Sequence, residues 1–155
     1  MNRTLARGLS AATVFLGAGL LFLVQPILAK MILPWFGGAA GVWSVCLFFF
    51  QAALLGGYLY AHCLVRWVPT RWQAPVHTAL LAIACFALPI VPDTAWKPGP
   101  ADDPLRRILG LLATSIGAPY LLLASTSPLV QSWYARASGA KLPYRLFALS
   151  NVASL

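Results

Sequence analysis

Four polar side chains recur at helical spacing inside one long apolar stretch of the sequence. Ser44, Gln51 and Tyr58 are seven residues apart, and His62 follows Tyr58 by four, so all four lie near one face of a helix. Such groups could line a ligand site or a proton path, and they could equally form hydrogen bonds between helices. Interhelical bonding is the favoured interpretation, because no carboxylate accompanies them to complete a proton relay. A polar stripe is costly in hydrocarbon, so we expect this face to point into a helix bundle.

Gln25 and Lys30 are the other polar candidates, and both lie in the segment 22–38, FLVQPILAKMILPWFGG. Pro26 removes one backbone donor from its helix, and Gln25 beside it is predicted to brace the resulting bend. Lys30 could be a charge held inside a bundle, or it could mark where a spanning helix leaves the bilayer. The second interpretation is favoured, since the apolar run before Lys30 already exceeds the roughly 20 residues that a crossing needs. A lysine stem can also reach the interface from that depth.

The composition indicates that lipid is the solvent of these helices. Hydrophobic residues make up 60% of the chain and charged residues 9%, with a mean hydropathy of +0.78, whereas soluble domains carry about 25% charged residues. Four charge-free intervals are each long enough for one membrane helix. The predicted fold is therefore an all-α, polytopic transmembrane helix bundle occupying one region, 1–155. Its four full spans are predicted near 8–30, 41–64, 74–91 and 108–132, with the start of a fifth at 146–155. Because that run stops about halfway through the bilayer, we expect a longer polypeptide.

The basic residues are spread between the apolar runs and do not form one patch. A nucleic-acid partner is therefore not expected, despite the net charge of +8. With a cytoplasmic N-terminus, the inner segments carry seven basic residues, and the outer segments carry four basic residues and all three carboxylates. The positive-inside rule favours this orientation. The inner basic residues would be Arg3, Arg7, Arg66, Arg71, Arg136, Lys141 and Arg145.

The motifs do not reveal a catalytic constellation. GGAAG at 37–41 follows a membrane helix instead of a strand, and it lacks the acidic residue that accompanies a dinucleotide-binding loop. No Walker loop, H-E-x-x-H or G-x-S-x-G motif occurs in the sequence. Cys46, Cys63 and Cys85 form no C-x-x-C pair, and we expect them to be small buried hydrophobes. We therefore predict no catalytic, cofactor-binding or metal-binding residue in this chain.

Two stretches of the sequence resemble the bacterial membrane-fused spermidine synthase-like proteins. The first stretch, 21–62, contains Q-P-x-x-A-K-M-x-L-P-x-x-G-G, and the second, 124–155, is ASTSPLVQSWYARASGAKLPYRLFALSNVASL. In that family a multi-helix membrane region precedes a cytoplasmic domain similar to polyamine aminopropyltransferases. The resemblance implies a multi-pass protein of the bacterial inner membrane, whose membrane region anchors a transferase-like domain.

The resemblance also implies where the chemistry would lie. Transfer of an aminopropyl group from decarboxylated S-adenosylmethionine, the implied co-substrate, would belong to the domain beyond this chain. The expected partners are the lipid bilayer and the C-terminal remainder of the polypeptide, and the oligomeric state stays open. An alternative also stays open, in which the polar face from Ser44 to His62 and a helix broken at Pro119 form part of a transporter or channel for a small molecule, for example a polyamine.

Overall fold

The computed structural model describes residues 3–38, 40–86, 88–99, 102–138 and 144–153. Within these ranges the chain is helical apart from turns and short connections, and they contain no strand. The α-helices are α1 (Arg3–Ile32), α2 (Ala40–Trp67), α3 (Thr70–Cys85), α4 (Pro104–Leu112), α5 (Ala118–Ser138) and α6 (Tyr144–Ala153). Short 3-10 helices cover Leu33–Phe36 and Thr94–Trp96, and a π-helical turn, Ala113–Gly117, joins α4 to α5. The prediction of an all-α fold is confirmed.

Three helical segments of the described chain are long and apolar enough to cross a membrane. They are Arg7–Phe36, Ala40–Trp67 and Pro104–Ala137, and they contain the first, second and fourth predicted spans. The second has 28 residues and rises about 42 Å, which exceeds the roughly 30 Å of the hydrocarbon core. Where a fifth span was predicted, α6 packs against α1. Positions 154 and 155 of that predicted span lie outside the described residues.

The third predicted span, 74–91, is not confirmed as a full helical span. The 16 residues of α3 rise only about 24 Å, which is less than the thickness of the hydrocarbon core. Beyond α3 the described chain continues without regular structure until the 3-10 helix that ends at Trp96. Pro89 and Pro92 lie in this stretch, and because proline lacks a backbone donor and disfavours helix in the residue before it, they oppose extension of α3 to 91.

Pro119 lies inside a continuous helical rod. The ring of a proline clashes with the carbonyl four residues earlier, here that of Ser115. The π-helical turn Ala113–Gly117 immediately precedes Pro119, and its wider hydrogen-bond spacing makes room for the ring. The rod from Pro104 to Ala137 therefore passes the proline without dividing into two half-helices.

Apolar side chains pack α1, α2, α4 and α5 together in two clusters. The larger cluster lies at the end of the bundle where α1 finishes and α2 begins, and the smaller cluster lies near the end of α2. The buried residues of α2 are Val42, Cys46, Phe50, Gly57, Ala61 and Leu64, and their spacing of three, four or seven forms one helical stripe. Cys46 is buried as predicted, whereas Cys63 is half-buried and Cys85 is exposed, because these two lie off the packed faces.

Gly57 allows α2 to lie directly against the backbone of α5. A Cβ atom at this position would be 2.7 Å from the carbonyl oxygen of Leu121 and 2.9 Å from the Cβ atom of Ala124. Both distances are too short for carbon contacts, so any larger residue would push the two helices apart. Small residues in membrane helices permit close helix approach, and Gly57 has this role between α2 and α5.

Substitution Gly57→Ala is expected to lower the midpoint of thermal unfolding in detergent. The added methyl group overpacks the contact between α2 and α5, and overpacking costs about 1–3 kcal/mol. Gly41→Ala is the matched control, since Gly41 also lies in α2 and a Cβ atom there would meet nothing within 4 Å. The control should keep or raise the midpoint, because alanine favours helix over glycine by about 1 kcal/mol. Equal midpoints for the two variants would contradict the proposed contact.

Candidate functional site

The predicted polar face of α2 lies on the outside of the described bundle. Ser44, Gln51, Tyr58 and His62 are all exposed, Tyr58 to 50%. The side of α2 that points into the bundle is instead the stripe of buried residues that contains Gly57. The four residues do share one helix face, but within the described chain this face does not point into the bundle as expected. Their role in binding a ligand stays a prediction.

Two exposed apolar residues complete this outward face of α2. Phe48 and Leu55 are 65% and 69% exposed and alternate with the polar positions at spacings of four and three residues. That alternation is typical of a surface that packs against another helix. An amide at the depth of Gln51 is costly in contact with lipid, so the face is better suited to a further helix than to hydrocarbon.

The side chain of Gln25 connects two helices. Its Nε2 donates to the hydroxyl oxygen of Tyr120 on α5 at 2.8 Å. Tyr120 is buried, and its ring packs against Phe50 with 5.0 Å between ring centroids. Gln25 therefore joins α1 to the centre of the larger apolar cluster, in addition to any role beside Pro26.

Lys30 lies in the last turn of α1, and its side chain is exposed. A cation there is favourable because it lies near the negative end of the helix dipole. At the same end of the bundle, the ammonium of Lys97 lies 5.2 Å from the ring centroid of Trp35. The role of Lys30 as a membrane-boundary residue stays a prediction.

Gln73, at the start of α3, is the centre of a buried hydrogen-bond cluster that sequence analysis did not identify. Its side chain is 1% exposed. Nε2 donates to the carbonyl oxygens of Val68 at 2.8 Å and Val65 at 3.3 Å. Oε1 accepts from Nε1 of Trp133 at 3.0 Å and from a guanidinium nitrogen of Arg136 at 2.6 Å. The amide thus uses two donors and two acceptor sites, its full capacity, and joins α2, α3 and α5.

His77 lies one turn beyond Gln73 and is 2% exposed. Its Nε2 is 3.1 Å from Oγ1 of Thr126 on α5, whose hydroxyl donates to the carbonyl oxygen of Leu122 at 2.9 Å. Because the threonine proton is used in that bond, Nε2 of His77 must be the donor to Thr126. Nδ1 of neutral His77 is then an acceptor.

The ring of Tyr60 lies beside His77, with 5.9 Å between the ring centroids. Neither the hydroxyl of Tyr60 nor Nδ1 of His77 has a hydrogen-bond partner among the described residues, although both atoms are buried. One group is a donor and the other an acceptor, so a single small polar molecule such as water could satisfy both. The cluster has the composition of an interhelical contact.

The loop before α4 carries a second, exposed polar site. Oδ2 of Asp102 accepts from the backbone N–H of Gly99 at 2.7 Å and from the guanidinium of Arg107 at 2.9 Å. The hydrogen bond from Gly99 is the main cause of a lowered pKa of the Asp102 carboxyl, and the charge of Arg107 acts in the same direction. Asp103 caps α4 by accepting from the backbone N–H of Leu105 at 3.0 Å. These bonds hold carboxylates at this end of the bundle.

The described residues contain no group of three or more His, Cys, Asp or Glu side chains that could hold a metal ion. A cavity of about 530 Å³ between α1, α3 and α5 is lined chiefly by apolar side chains, among them Leu20, Ile27, Leu81 and Leu123. A cavity of this kind accommodates hydrocarbon and offers few groups that could orient a polar ligand.

The signal that could have revealed the buried cluster is the pair Gln73 and His77. They are four residues apart and therefore share one face of a helix, next to the apolar run that begins the predicted span 74–91. Trp133 and Arg136, which bind Gln73, are about 60 residues away in the sequence. No local pattern indicates that pairing.

Comparisons of this chain with protein-family models, curated proteins and solved structures find no match in any of the three. The interpretation of its sites therefore depends on their geometry.

Substitution Gln73→Leu is expected to lower the free energy of unfolding in detergent by about 2 kcal/mol or more, since each buried group left unpaired costs about 1–3 kcal/mol. The groups left unpaired would be the N–H of Trp133, the guanidinium of Arg136 and a carbonyl at the end of α2. Gln51→Leu is the matched control, because Gln51 is exposed, and it should show no loss. If the two variants lowered the free energy of unfolding equally, or hardly at all, the Gln73 cluster would contribute little to stability.

The backbone amide of Gly99 should report the titration of Asp102 by NMR. Since the folded-state pKa of Asp102 is lowered, the carboxylate stabilises the loop at neutral pH, and this contribution is lost as pH falls through that pKa. The Gly99 amide shift should therefore have a midpoint below the ordinary value of 3.8. Asp102→Asn should abolish the titration, and a midpoint at or above 3.8 would contradict the assignment.

Proposed function

We propose that this chain is the membrane-embedded N-terminal region of a spermidine synthase-like protein of the bacterial inner membrane. Its role is to anchor an aminopropyltransferase-like domain that follows it in the polypeptide. The observation that carries the proposal is the combination of three apolar helices long enough to cross a bilayer with the sequence motifs of residues 21–62 and 124–155. Decarboxylated S-adenosylmethionine would be a co-substrate of the following domain, and this chain would bind none.

The hydrogen bonding of the interior favours an anchor over a transporter or channel. Gln73 has all its hydrogen-bonding groups engaged within the chain, and the Gln25 amide is bonded to Tyr120. Groups that bond to one another in this way stabilise a fixed helix arrangement, whereas a transport path needs groups that can exchange partners with a substrate. The apolar lining of the cavity between α1, α3 and α5 is also a poor environment for a polycation.

The distribution of charge supports a cytoplasmic N-terminus. The hydrogen bonds of Arg7 with Tyr134 and of Arg136 with Gln73 place both arginines at the end of the bundle where α2 finishes, which also carries Arg66. The three carboxylates belong to the loop at the opposite end. The positive-inside rule assigns the arginine-rich end to the cytoplasm. Lys141 and the side chains of Arg3 and Arg145, which were predicted to lie there too, are outside the described residues.

Cysteine labelling of intact cells tests this topology. In a background without Cys46, Cys63 and Cys85, Lys97→Cys and Arg66→Cys each introduce one exposed site. A membrane-impermeant maleimide should label position 97 in spheroplasts and position 66 only after lysis, because they lie at opposite ends of the bundle. Labelling of both positions from the same side would contradict the membrane-spanning arrangement, and the reverse pattern would contradict the orientation.

The anchoring role is tested in the parent polypeptide. Deletion of 1–155 together with the remainder of the fifth predicted span should move the transferase-like domain from the membrane pellet to the soluble fraction. Gln51→Leu serves as the control, since it leaves the anchor intact, and its domain should stay in the pellet after carbonate washing. A domain that remains in the membrane after this deletion would overturn the anchor proposal.

A further inference from the structure

A groove opens between α3 and α5 at the arginine-rich end of the bundle. Its volume is about 410 Å³, and its lining residues are Thr70, Ala74, Trp133, Arg136 and Ala137. Arg136 is the one charged residue among these five. The groove therefore combines a cation, a hydroxyl and an indole with two small side chains that leave space beside them.

The guanidinium of Arg136 is held in place by the buried amide of Gln73. One of its terminal nitrogens donates to Oε1 of Gln73 at 2.6 Å, and Trp133 donates to the same oxygen. Gln73 is itself fixed by the carbonyl oxygens of Val65 and Val68. A guanidinium has five N–H donors, and the bond to Gln73 uses one of them. Arg136 is thus a positioned cation, and its remaining donors suit a phosphate, which guanidinium binds in bidentate fashion.

No side-chain carboxylate of this chain is available to neutralise Arg136. The sequence has three acidic residues, all in the loop at the far end, where Asp102 pairs with Arg107 and Asp103 with Arg106. Arg7 and Arg66 lie at the same end as Arg136 and add to its positive potential. Within residues 1–155 the charge of Arg136 is therefore left available to an anionic ligand.

Exposed tryptophans at the arginine-rich end indicate that the groove lies near a membrane interface. Trp67 and Trp72, on either side of the turn that joins α2 to α3, are 73% and 55% exposed, and exposed tryptophans are typical of the headgroup region. The bundle is apolar beyond this level, so an anion that reaches Arg136 laterally must have an apolar tail. A phospholipid meets both requirements.

We propose that the groove between α3 and α5 is a binding site for the headgroup of an anionic phospholipid, with its phosphate on Arg136. Trp133 lines the side of the groove, and Ala74 and Ala137 leave room for the glycerol moiety. The proposal goes beyond the anchoring role and does not depend on which end of the bundle faces the cytoplasm.

Native mass spectrometry of the detergent-solubilised chain tests the site with an equimolar mixture of phosphatidylglycerol and phosphatidylcholine. The wild type should bind phosphatidylglycerol preferentially. Arg136→Gln should reduce that preference by about fivefold, the factor that one basic residue contributes near an anionic membrane surface. Arg106→Gln is the control, since Arg106 is an exposed arginine at the opposite end, and it should leave the preference unchanged.

Two further variants keep the test decisive if Arg136→Gln folds poorly. Arg136→Lys retains the charge but not the bidentate donors, so its preference should lie between those of the wild type and Arg136→Gln. Ala74→Trp leaves the charge and fills the groove, and should weaken the binding of phosphatidylglycerol. Excess glycerol 3-phosphate should not displace the lipid, because the soluble phosphate lacks the acyl chains.

The proposal is overturned if the wild type binds both lipids equally, or if Arg136→Gln and Arg106→Gln reduce the preference to the same extent. Displacement by glycerol 3-phosphate would instead indicate a site for a free phosphate compound. None of these results affects the fractionation of the parent polypeptide, so the anchoring proposal can fail or succeed separately.

Discussion

The amide of Gln73 sets the relative positions of three helices. Gln73 is 1% exposed, so its amide has little access to water and depends on partners inside the protein. Gln73 satisfies carbonyl oxygens at the end of α2, which have no partner within that helix, and it accepts from Trp133 and Arg136 of α5. This network fixes where the short helix α3 begins, and it holds the guanidinium beside the groove.

The two ends of the bundle handle charge in different ways. In the loop before α4, arginines pair with carboxylates of the same chain, so that end is nearly self-neutralising. At the opposite end, Arg7 and Arg136 bond to a phenol and an amide, which orient a guanidinium without removing its charge. Because its positive charge is not neutralised, the arginine-rich end can attract an anionic partner. The two ends of the bundle therefore differ in net charge.

The helix α2 illustrates how a membrane protein divides its surfaces. Its inner stripe is narrow because Gly57 brings the backbone of α5 within contact distance, and its outer face carries Gln51 between Phe48 and Leu55. In water, the polar side of a helix points outward to the solvent. In lipid, an outward amide is unfavourable unless another helix covers it.

The sequence by itself indicated that lipid surrounds the helices, and it determined the all-helical fold class and the distribution of charge along the chain. These follow from local quantities: uninterrupted apolar runs predicted Arg7–Phe36, Ala40–Trp67 and Pro104–Ala137 closely. The tertiary structure decided which side of α2 is inside, how far α3 extends and which residues form the buried polar cluster. Helix faces are hard to assign from sequence in a membrane because apolar residues occupy both the packed and the lipid-facing sides. Which side of a helix is packed depends on the close contact of α2 with the backbone of α5 at Gly57. It also depends on hydrogen bonds such as that of Gln73 with Arg136, which join positions far apart in the chain.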